Sequence, residues 1–304
     1  MHVFKRQKIT TTIVMSDNTL KSNEQTALPR KNPKFLYIAA AVIAIVAAII
    51  LIVDGKKPSE AEEASAKLPV ISGHRGANCI APENTMASAD SCIKYGIPFM
   101  ETDVTISADS VFYLLHDSTL ERTTGVEGSP TDYTSDFLDG LDAGAWFGDA
   151  WKGQHLLRFE DLLAKAKDNN LNVTVDYRKG DFKALVDLIS KYDMLERTCF
   201  TFSEDSDCIE FRKLFPDIKT LQAYVTDIND LDRVMEAYSP NIIVNWIDKL
   251  DENFVKTCHD RGLDVLALVL GLDDKTEANR RAVELGVDVV ATDRPEEFKR
   301  QFAY

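Results

Sequence analysis

The sequence predicts an α/β protein whose folded part is one (β/α)8 barrel. Apolar segments rich in β-branched and aromatic residues alternate with amphipathic helical segments from Leu68 onward. The alternation gives eight strands when one short hairpin is counted as a decoration. About 235 residues follow Leu68, close to the roughly 250 of a typical barrel. An open doubly wound sheet is the alternative fold.

The strands are predicted from the apolar runs in chain order. The second and third runs are separated only by Ser107 to Ser110, so they form an antiparallel hairpin, because a parallel pair needs a longer crossover. The predicted strands are 68–74, 97–106, 111–116, 172–177, 198–202, 218–225, 241–246, 263–268 and 287–292. The predicted helices are 84–95, 159–169, 182–192, 207–215, 227–238, 251–262 and 276–286.

A long apolar run precedes the barrel. Residues 35–53 read FLYIAAAVIAIVAAIILIV, without a charged side chain, and as a helix this run spans roughly 30 Å of hydrocarbon. We predict a transmembrane helix at 35–53, a polar linker at 54–68 and the barrel at 69–304. A buried core helix and a cleaved signal peptide are the alternatives. The first is disfavoured by the apolar character of every face, and the second by the 34 residues that precede the run.

Charge is distributed unevenly along the chain. Residues 1–34 form a head with a net charge of +5. Because the formal charge of the whole chain is −14, the remainder carries −19. The basic flank predicts that the head is cytoplasmic and that the barrel lies on the other side of the membrane. The chain's own N-terminal helix would anchor the barrel to that membrane. An acidic body lacks the Lys and Arg that displace phosphate counterions on a duplex, so nucleic acid is excluded as the main partner.

Charged side chains gather where the predicted strands end, which is the active-site face of a parallel barrel. Glu101 and Asp103 are two residues apart on one strand and therefore face the same way, as do Asp176 and Arg178. Carboxylates packed this closely repel one another unless a cation lies between them. Their hard oxygens suit Ca²⁺ or Mg²⁺. Ordinary surface acids at a solvated strand end are the alternative explanation.

Two histidines lie at strand ends beside these acids. His74 is followed by Arg75, and His116 is followed by Asp117. Histidine titrates near neutrality, so one imidazole can remove a proton while another protonates a leaving group. A cation and a guanidinium neutralise charge on the non-bridging oxygens of a transferring phosphoryl group. These residues together indicate metal-assisted cleavage of a phosphodiester.

Four segments carry a family resemblance. GHRGANCIAPENT, ETDVTI, LLHDSTLERTTGVEG and VVATDRPEEF resemble the signatures of the glycerophosphodiester phosphodiesterase family, in order, across essentially Val70 to Phe302. The resemblance implies a TIM barrel with a small insertion after the second strand, here about 119–155. It also implies hydrolysis of a small glycerophosphodiester to glycerol 3-phosphate and an alcohol, assisted by one divalent cation, Ca²⁺ or Mg²⁺.

The resemblance implies a role for each matching residue. His74 and His116 match the acid/base histidines of the family. Arg75 matches its phosphate-contacting arginine, and Arg178 stands where a second cation is expected. The implied metal-binding positions are Glu101, Asp103, Asp176 and, directly or through water, Glu83. Asn84 and Thr85 are expected to cap the following helix.

The sequence departs from the family pattern at two strand ends. The family usually has Glu-x-Lys where this chain has Asp176-Tyr177-Arg178, and Trp-Thr-Val-Asn where it has Leu268 to Gly271. Asp is one methylene shorter than Glu, so we expect the third ligand to reach the metal through water or after a small backbone shift. The second departure removes an aromatic wall from the mouth of the pocket.

Two other functions use the same barrel. It could hydrolyse lysophospholipids as a phospholipase D, with the aromatic residues of the insertion on the acyl chain, although ordinary packing explains those residues equally simply. It could also be a membrane-tethered binding module whose third metal ligand has decayed. The intact His-Arg-Gly and His-Asp motifs argue against the binding module. The aromatic residues in question are Trp146, Phe147 and Trp151.

Overall fold

The computed structural model of the protein describes residues 68–271, 273 and 275–302. The predicted head, the transmembrane helix at 35–53 and nearly all of the linker lie outside the described residues. Among the helices that are described, none is long and apolar enough to cross a bilayer. The described residues therefore correspond to the predicted barrel region.

The described residues form one sheet of nine strands. Eight of them pair in parallel in the order β5-β4-β2-β1-β9-β8-β7-β6, and β3 pairs with β2 in the antiparallel direction. A parallel bridge between Phe200 and Leu221 joins β5 to the segment before β6, so the barrel is nearly closed. The strands are β1 (Val70–Gly73), β2 (Phe99–Ile106), β3 (Phe112–Leu114), β4 (Asn172–Tyr177), β5 (Thr198–Phe202), β6 (Gln222–Tyr224), β7 (Ile242–Trp246), β8 (Asp264–Val269) and β9 (Val289–Thr292).

Helices follow the parallel strands as the fold requires. The prediction for 227–238 was too long, because Asp227 caps a separate 3₁₀ turn at Ile228–Asp230 before the α-helix begins. The two short helices of the insertion and the last helix were not predicted. The strand predicted at 218–225 was also too long, since only Gln222–Tyr224 pair in the sheet. The helices are α1 (Met86–Tyr95), α2 (Glu121–Thr124), α3 (Ser135–Leu138), α4 (Phe159–Asp168), α5 (Phe182–Lys191), α6 (Asp205–Leu214), α7 (Leu231–Tyr238), α8 (Glu252–Asp260), α9 (Thr276–Glu284) and α10 (Pro295–Gln301).

The hairpin of β2 and β3 supports the insertion. Helices α2 and α3 lie within the predicted insertion, and its loops pack on the hairpin through a small apolar core of their own. Buried Tyr113 of β3 anchors this core, and its hydroxyl donates to Asp139 at 2.7 Å. The insertion is thereby fixed beside the end of β3, where His116 follows.

Strand alternation divides the barrel into an apolar floor and a charged mouth. Phe99, at the start of β2, belongs to the small apolar cluster inside the barrel. Glu101 and Asp103 follow at intervals of two residues and so face the same interior nearer the C-terminal end. The larger apolar cluster packs the outer side of the sheet against the helices. The fold therefore directs the β2 carboxylates into the mouth of the barrel.

Candidate active site

Three carboxylates converge at the mouth of the barrel. Glu101, Asp103 and Asp176 are buried. One carboxylate oxygen of each residue lies within 4.8 Å of the corresponding oxygens of the other two. The parallel register of β2 and β4 sets Asp103 directly opposite Asp176. Sequence analysis predicted all three as metal ligands, and the structure brings them together.

Burial and mutual repulsion act on the charge of this cluster. Burial, with the nearby charge of Asp103, raises the pKa of Glu101 to about 8. Burial likewise raises the pKa of Asp176 to about 7. Burial by itself would raise the pKa of Asp103 too, but the guanidinium groups of Arg178 and Arg75 hold it below its ordinary value. The ionised forms of Glu101 and Asp176 are therefore only partly stabilised by the protein groups around them.

Two arginines contact the cluster. Arg178 donates to Asp103 through Nε at 3.0 Å and to Asp176 through Nη2 at 2.8 Å. The Arg75 backbone N–H donates to Glu101 at 2.7 Å, and its Nη1 donates to Glu83 at 3.0 Å. Both arginines predicted to contact phosphate therefore border the carboxylates.

The residues present fit a hard divalent cation. Asp176 Oδ1 is buried, and no described residue hydrogen-bonds it. A buried carboxylate oxygen without a partner is costly unless another group satisfies it. Together with three clustered carboxylates, it forms a donor set of the kind that Ca²⁺ and Mg²⁺ prefer. Glu83 lies apart from this cluster, and both its oxygens accept hydrogen bonds from arginines.

The turn after β1 requires its own sequence. Arg75 has a positive φ of 53° and Gly76 one of 86°, which turns the Arg75 N–H toward Glu101. A Cβ on Gly76 would lie 2.5 Å from Ser88 Oγ, so only glycine fits at that position. The His-Arg-Gly sequence is thus explained by a tight turn that aims a backbone donor at the cluster.

His74 stands over the cluster with a defined orientation. Its Nδ1 donates to Asp293 at 2.6 Å, and its Nε2 lies 4.0 Å from a Glu101 oxygen. Burial alone would lower the pKa of His74, but the hydrogen bond with Asp293 and the charge of Glu101 outweigh it and raise the pKa above its ordinary value. Nε2 is therefore the ring nitrogen that faces the carboxylate cluster.

His116 is arranged in the same way on the insertion side. Its Nδ1 donates to Asp117 at 2.7 Å, and a third of its side chain is exposed. Arg122 of α2 in turn holds Asp117 through Nε at 2.6 Å. Each candidate acid/base histidine is thus oriented by a carboxylate on Nδ1.

Sequence reasoning missed two functional contacts. Asp293 follows β9, so the strand-end rule that found His74 could have found it. Asn84 was expected to cap α1, but Thr85 alone is the N-cap residue. The Asn84 amide instead donates to Asp103 at 2.7 Å and so orients a predicted metal ligand.

The comparisons with known proteins decide the family. A model of the glycerophosphoryl diester phosphodiesterase family matches residues 74–297. The chain belongs to this family. It is 27% identical over 237 residues to the glycerophosphodiester phosphodiesterase of Caldanaerobacter subterraneus, an alignment that covers 75% of this chain and 95% of that protein. The family resemblance drawn from the four motifs is confirmed.

Solved structures of this family share the fold. The glycerophosphodiester phosphodiesterase of Agrobacterium tumefaciens superimposes with a TM-score of 0.71 at 27% identity, covering 76% of this chain and 99% of that one. An Oleispira antarctica phosphodiesterase, solved with the product sn-glycerol-3-phosphate, gives a TM-score of 0.70 at 23% identity and covers 79% and 99%. The protein is a phosphoric diester hydrolase of the glycerophosphodiester phosphodiesterase family.

The hydrogen bond between His74 and Asp293 can be tested by titration. Asp293→Asn removes the negative charge beside Nδ1, so we expect the pKa of His74 to fall. NMR titration of the His74 ring in chelator-treated protein measures this change. Asp288→Asn is the matched control, because Asp288 holds His259 at 2.7 Å on a helix outside the site and its loss should leave His74 unchanged. An unaltered His74 pKa in Asp293→Asn would contradict the assigned contact.

Proposed function

We propose that the protein hydrolyses small glycerophosphodiesters to glycerol 3-phosphate and an alcohol with the help of one divalent cation, Ca²⁺ or Mg²⁺. The observation that carries this proposal is the convergence of Glu101, Asp103 and Asp176 beside His74 in the mouth of a barrel of this family. The product bound to the Oleispira relative supports the choice of glycerol 3-phosphate.

The three clustered carboxylates would hold the cation. When bound, it supplies positive charge against the non-bridging oxygens of the phosphodiester. Glu83 remains a predicted fourth ligand, through water, although two arginines hold its carboxylate. The partnerless Asp176 Oδ1 and the raised pKa values of Asp176 and Glu101 support a cation at this position.

Arg75 and Arg178 would receive the phosphate beside the carboxylates. Arg75 Nε is buried and has no hydrogen-bond partner among the described residues, since Asp103 Oδ2 lies 3.6 Å away. A buried donor without a partner suits an anionic oxygen of the substrate. Arg178 bridges Asp103 and Asp176 and so places its own charge at the same edge.

The histidines would move the protons. Because a carboxylate accepts from Nδ1 of His74 and of His116, each ring presents Nε2 to the substrate. One imidazole takes a proton from the nucleophile, which is water or the neighbouring glycerol hydroxyl. The other gives a proton to the oxygen of the departing alcohol. The phosphorus–oxygen bond to that alcohol breaks as the bond to the nucleophile forms. Attack by water gives glycerol 3-phosphate directly, whereas attack by the glycerol hydroxyl gives a cyclic phosphate that a water molecule must then open to glycerol 3-phosphate.

The aromatic residues of the insertion give little support to a lysolipid substrate. Trp146 packs edge-to-face on Phe147 with 5.5 Å between the ring centroids, and Phe147 packs on Trp151 with 6.0 Å between the centroids. Phe147 and Trp151 are thus packed within the insertion, while Trp146 is 41% exposed and lies against the Arg122 guanidinium. We therefore keep the soluble head-group ester as the proposed substrate and use a lysolipid as a comparison in the assay.

We also propose that the N-terminal segment anchors the enzyme in a membrane with the barrel on the extracytoplasmic side. The support is the uncharged run at 35–53 and the basic residues before it. The full chain, expressed in bacterial cells, should sediment with membranes and resist alkaline extraction. Deletion of residues 35–53 should release it into the soluble fraction. Recovery of the full chain in the soluble fraction would refute the anchor.

Removal of metal tests the cation. Release of glycerol 3-phosphate from glycerophosphocholine by the full-length protein should stop in chelator and resume with Ca²⁺ or Mg²⁺. Asp176→Asn should raise the metal concentration needed for half-maximal rate by about 10- to 100-fold. Lysophosphatidylcholine, assayed in parallel, tests the alternative hypothesis that the substrate is a lysophospholipid. Undiminished turnover in chelator would refute the metal-dependent mechanism.

Substitution of the histidines tests the proton transfers. His74→Ala and His116→Ala should each lower kcat by about 10²- to 10⁴-fold, because each removes a general acid or base. The control is His259→Ala, whose ring pairs with Asp288 at 2.7 Å and lies outside the site. It should retain the wild-type rate. Near-wild-type rates for both site variants would contradict the assigned roles.

A further inference from the structure

Arg122 of α2 contacts two carboxylates at once. Its Nε and Nη2 donate to the two oxygens of Asp117 at 2.6 and 3.1 Å. Its Nη1 and Nη2 donate to the two oxygens of Glu83 at 3.0 and 2.7 Å. Paired bonds to both partners use the planar fork of a guanidinium, which a lysine cannot reproduce.

Both carboxylates lead to residues of the proposed reaction. Asp117 Oδ1 accepts from His116 Nδ1 at 2.7 Å, and Glu83 Oε1 accepts from Arg75 Nη1 at 3.0 Å. Arg122 is therefore the middle member of a continuous chain of charged hydrogen bonds from a candidate acid/base histidine to a candidate phosphate ligand. It touches neither the carboxylate cluster nor the imidazole itself in any contact described.

The insertion holds Arg122 in place. The guanidinium lies 5.6 Å from the centre of the Trp146 ring, within range of a cation–π contact. Trp146 is fixed in turn, because its Nε1 donates to the Ala143 carbonyl at 2.9 Å. Leu120, two residues before Arg122, is fully buried in the core of the insertion. The arginine is thus supported from its backbone and from its charged end.

We infer that Arg122 is a positioning residue for the hydrolysis: it fixes the His116 ring through Asp117 and couples that ring to Arg75 through Glu83. This inference rests on the role proposed above for His116. The Asp117 carboxylate must stay ionised if His116 Nδ1 is to remain the donor and Nε2 the free nitrogen. Arg122 supports this state, since its hydrogen bonds lower the pKa of Asp117 to about 2.

A double-mutant cycle in the full-length enzyme tests the inference. Arg122→Gln and Asp117→Asn should each lower kcat by about 10- to 100-fold, as loss of an orienting partner does, with little change in KM. The kcat of the double variant should be no more than about twofold below that of the slower single variant, because both substitutions act through the His116 ring. Losses that multiply in the double variant, or an Arg122→Gln rate within twofold of wild type, would overturn the inference.

Arg158 provides a matched control. It makes the same kind of paired contact within the insertion region, donating to Asp139 through Nε at 2.8 Å, with its guanidinium 5.9 Å from the Tyr113 ring. It touches no group of the proposed mechanism. Arg158→Gln should therefore lower the melting temperature without lowering kcat. A matching loss of kcat would mean that the Arg122 effect is only structural, and would overturn the inference.

Two further measurements keep the test decisive. If Arg122→Gln unfolds at the assay temperature, Arg122→Lys replaces it; a lysine keeps the charge but cannot pair with both carboxylates, so kcat should still fall by about tenfold. A wild-type rate for Arg122→Lys would overturn the inference. The His116→Ala rate is measured in the same assay. If His116→Ala hydrolyses the glycerophosphodiester as fast as the wild-type enzyme does, the role proposed for His116 is wrong, whereas the activity of the family stands.

Discussion

The burial of three like charges at one end of the barrel is the constraint on which the site depends. Two carboxylates about 4 Å apart repel each other by roughly 4 kcal/mol at the effective dielectric constant of a protein, and burial adds a desolvation cost of several kcal/mol for each ion. Arg75 and Arg178 offset part of this cost at Asp103. Burial and the neighbouring carboxylates still raise the pKa values of Glu101 and Asp176, and a divalent cation would offset the cost that remains.

The sheet prevents the carboxylates from separating. Asp103 and Asp176 are opposite residues of two hydrogen-bonded parallel strands, and Glu101 is fixed two residues before Asp103. Relief of their repulsion by movement would break the β2–β4 ladder. The apolar floor inside the barrel and the outer layer of helices hold that ladder in place. The stability of the barrel therefore maintains a charge arrangement that is unfavourable by itself, which is how a preorganised binding site is built.

Sequence reasoning succeeded where a function depends on one strand. Alternation placed Glu101 beside Asp103, and the strand-end rule located His74 and Asp176, because both rules need only local information. It failed where partners are distant in the chain. Asp293 is 219 residues from His74. The strand-end rule places both residues at the mouth of the barrel, but it does not show that these two side chains pair.

Ambiguous side chains caused the remaining failures. Asn84 precedes a helix and satisfies the usual cap preference, yet Thr85 takes the cap and leaves the Asn84 amide free to hold Asp103. The bounds of most strands and helices were close to those predicted, but β6 is three residues long where 218–225 was predicted. Helices α2, α3 and α10 and the break before α7 were not foreseen. The role inferred for Arg122 could not be predicted, since its two carboxylate partners come from segments 39 and 5 residues away.

The unusual strand end at Asp176 and Arg178 is explained by the contact between them. Arg178 Nη2 donates to Asp176 Oδ2, which leaves Oδ1 as the oxygen without a partner among the described residues. The shorter carboxylate still reaches the cluster, as its place beside Glu101 and Asp103 shows. The planar fork of Arg178 also reaches Asp103, so one side chain fixes two carboxylates that a point-charged lysine would hold less rigidly. The replacements of Glu by Asp176 and of Lys by Arg178 therefore compensate each other at the end of β4, and this geometry argues against a decayed metal site.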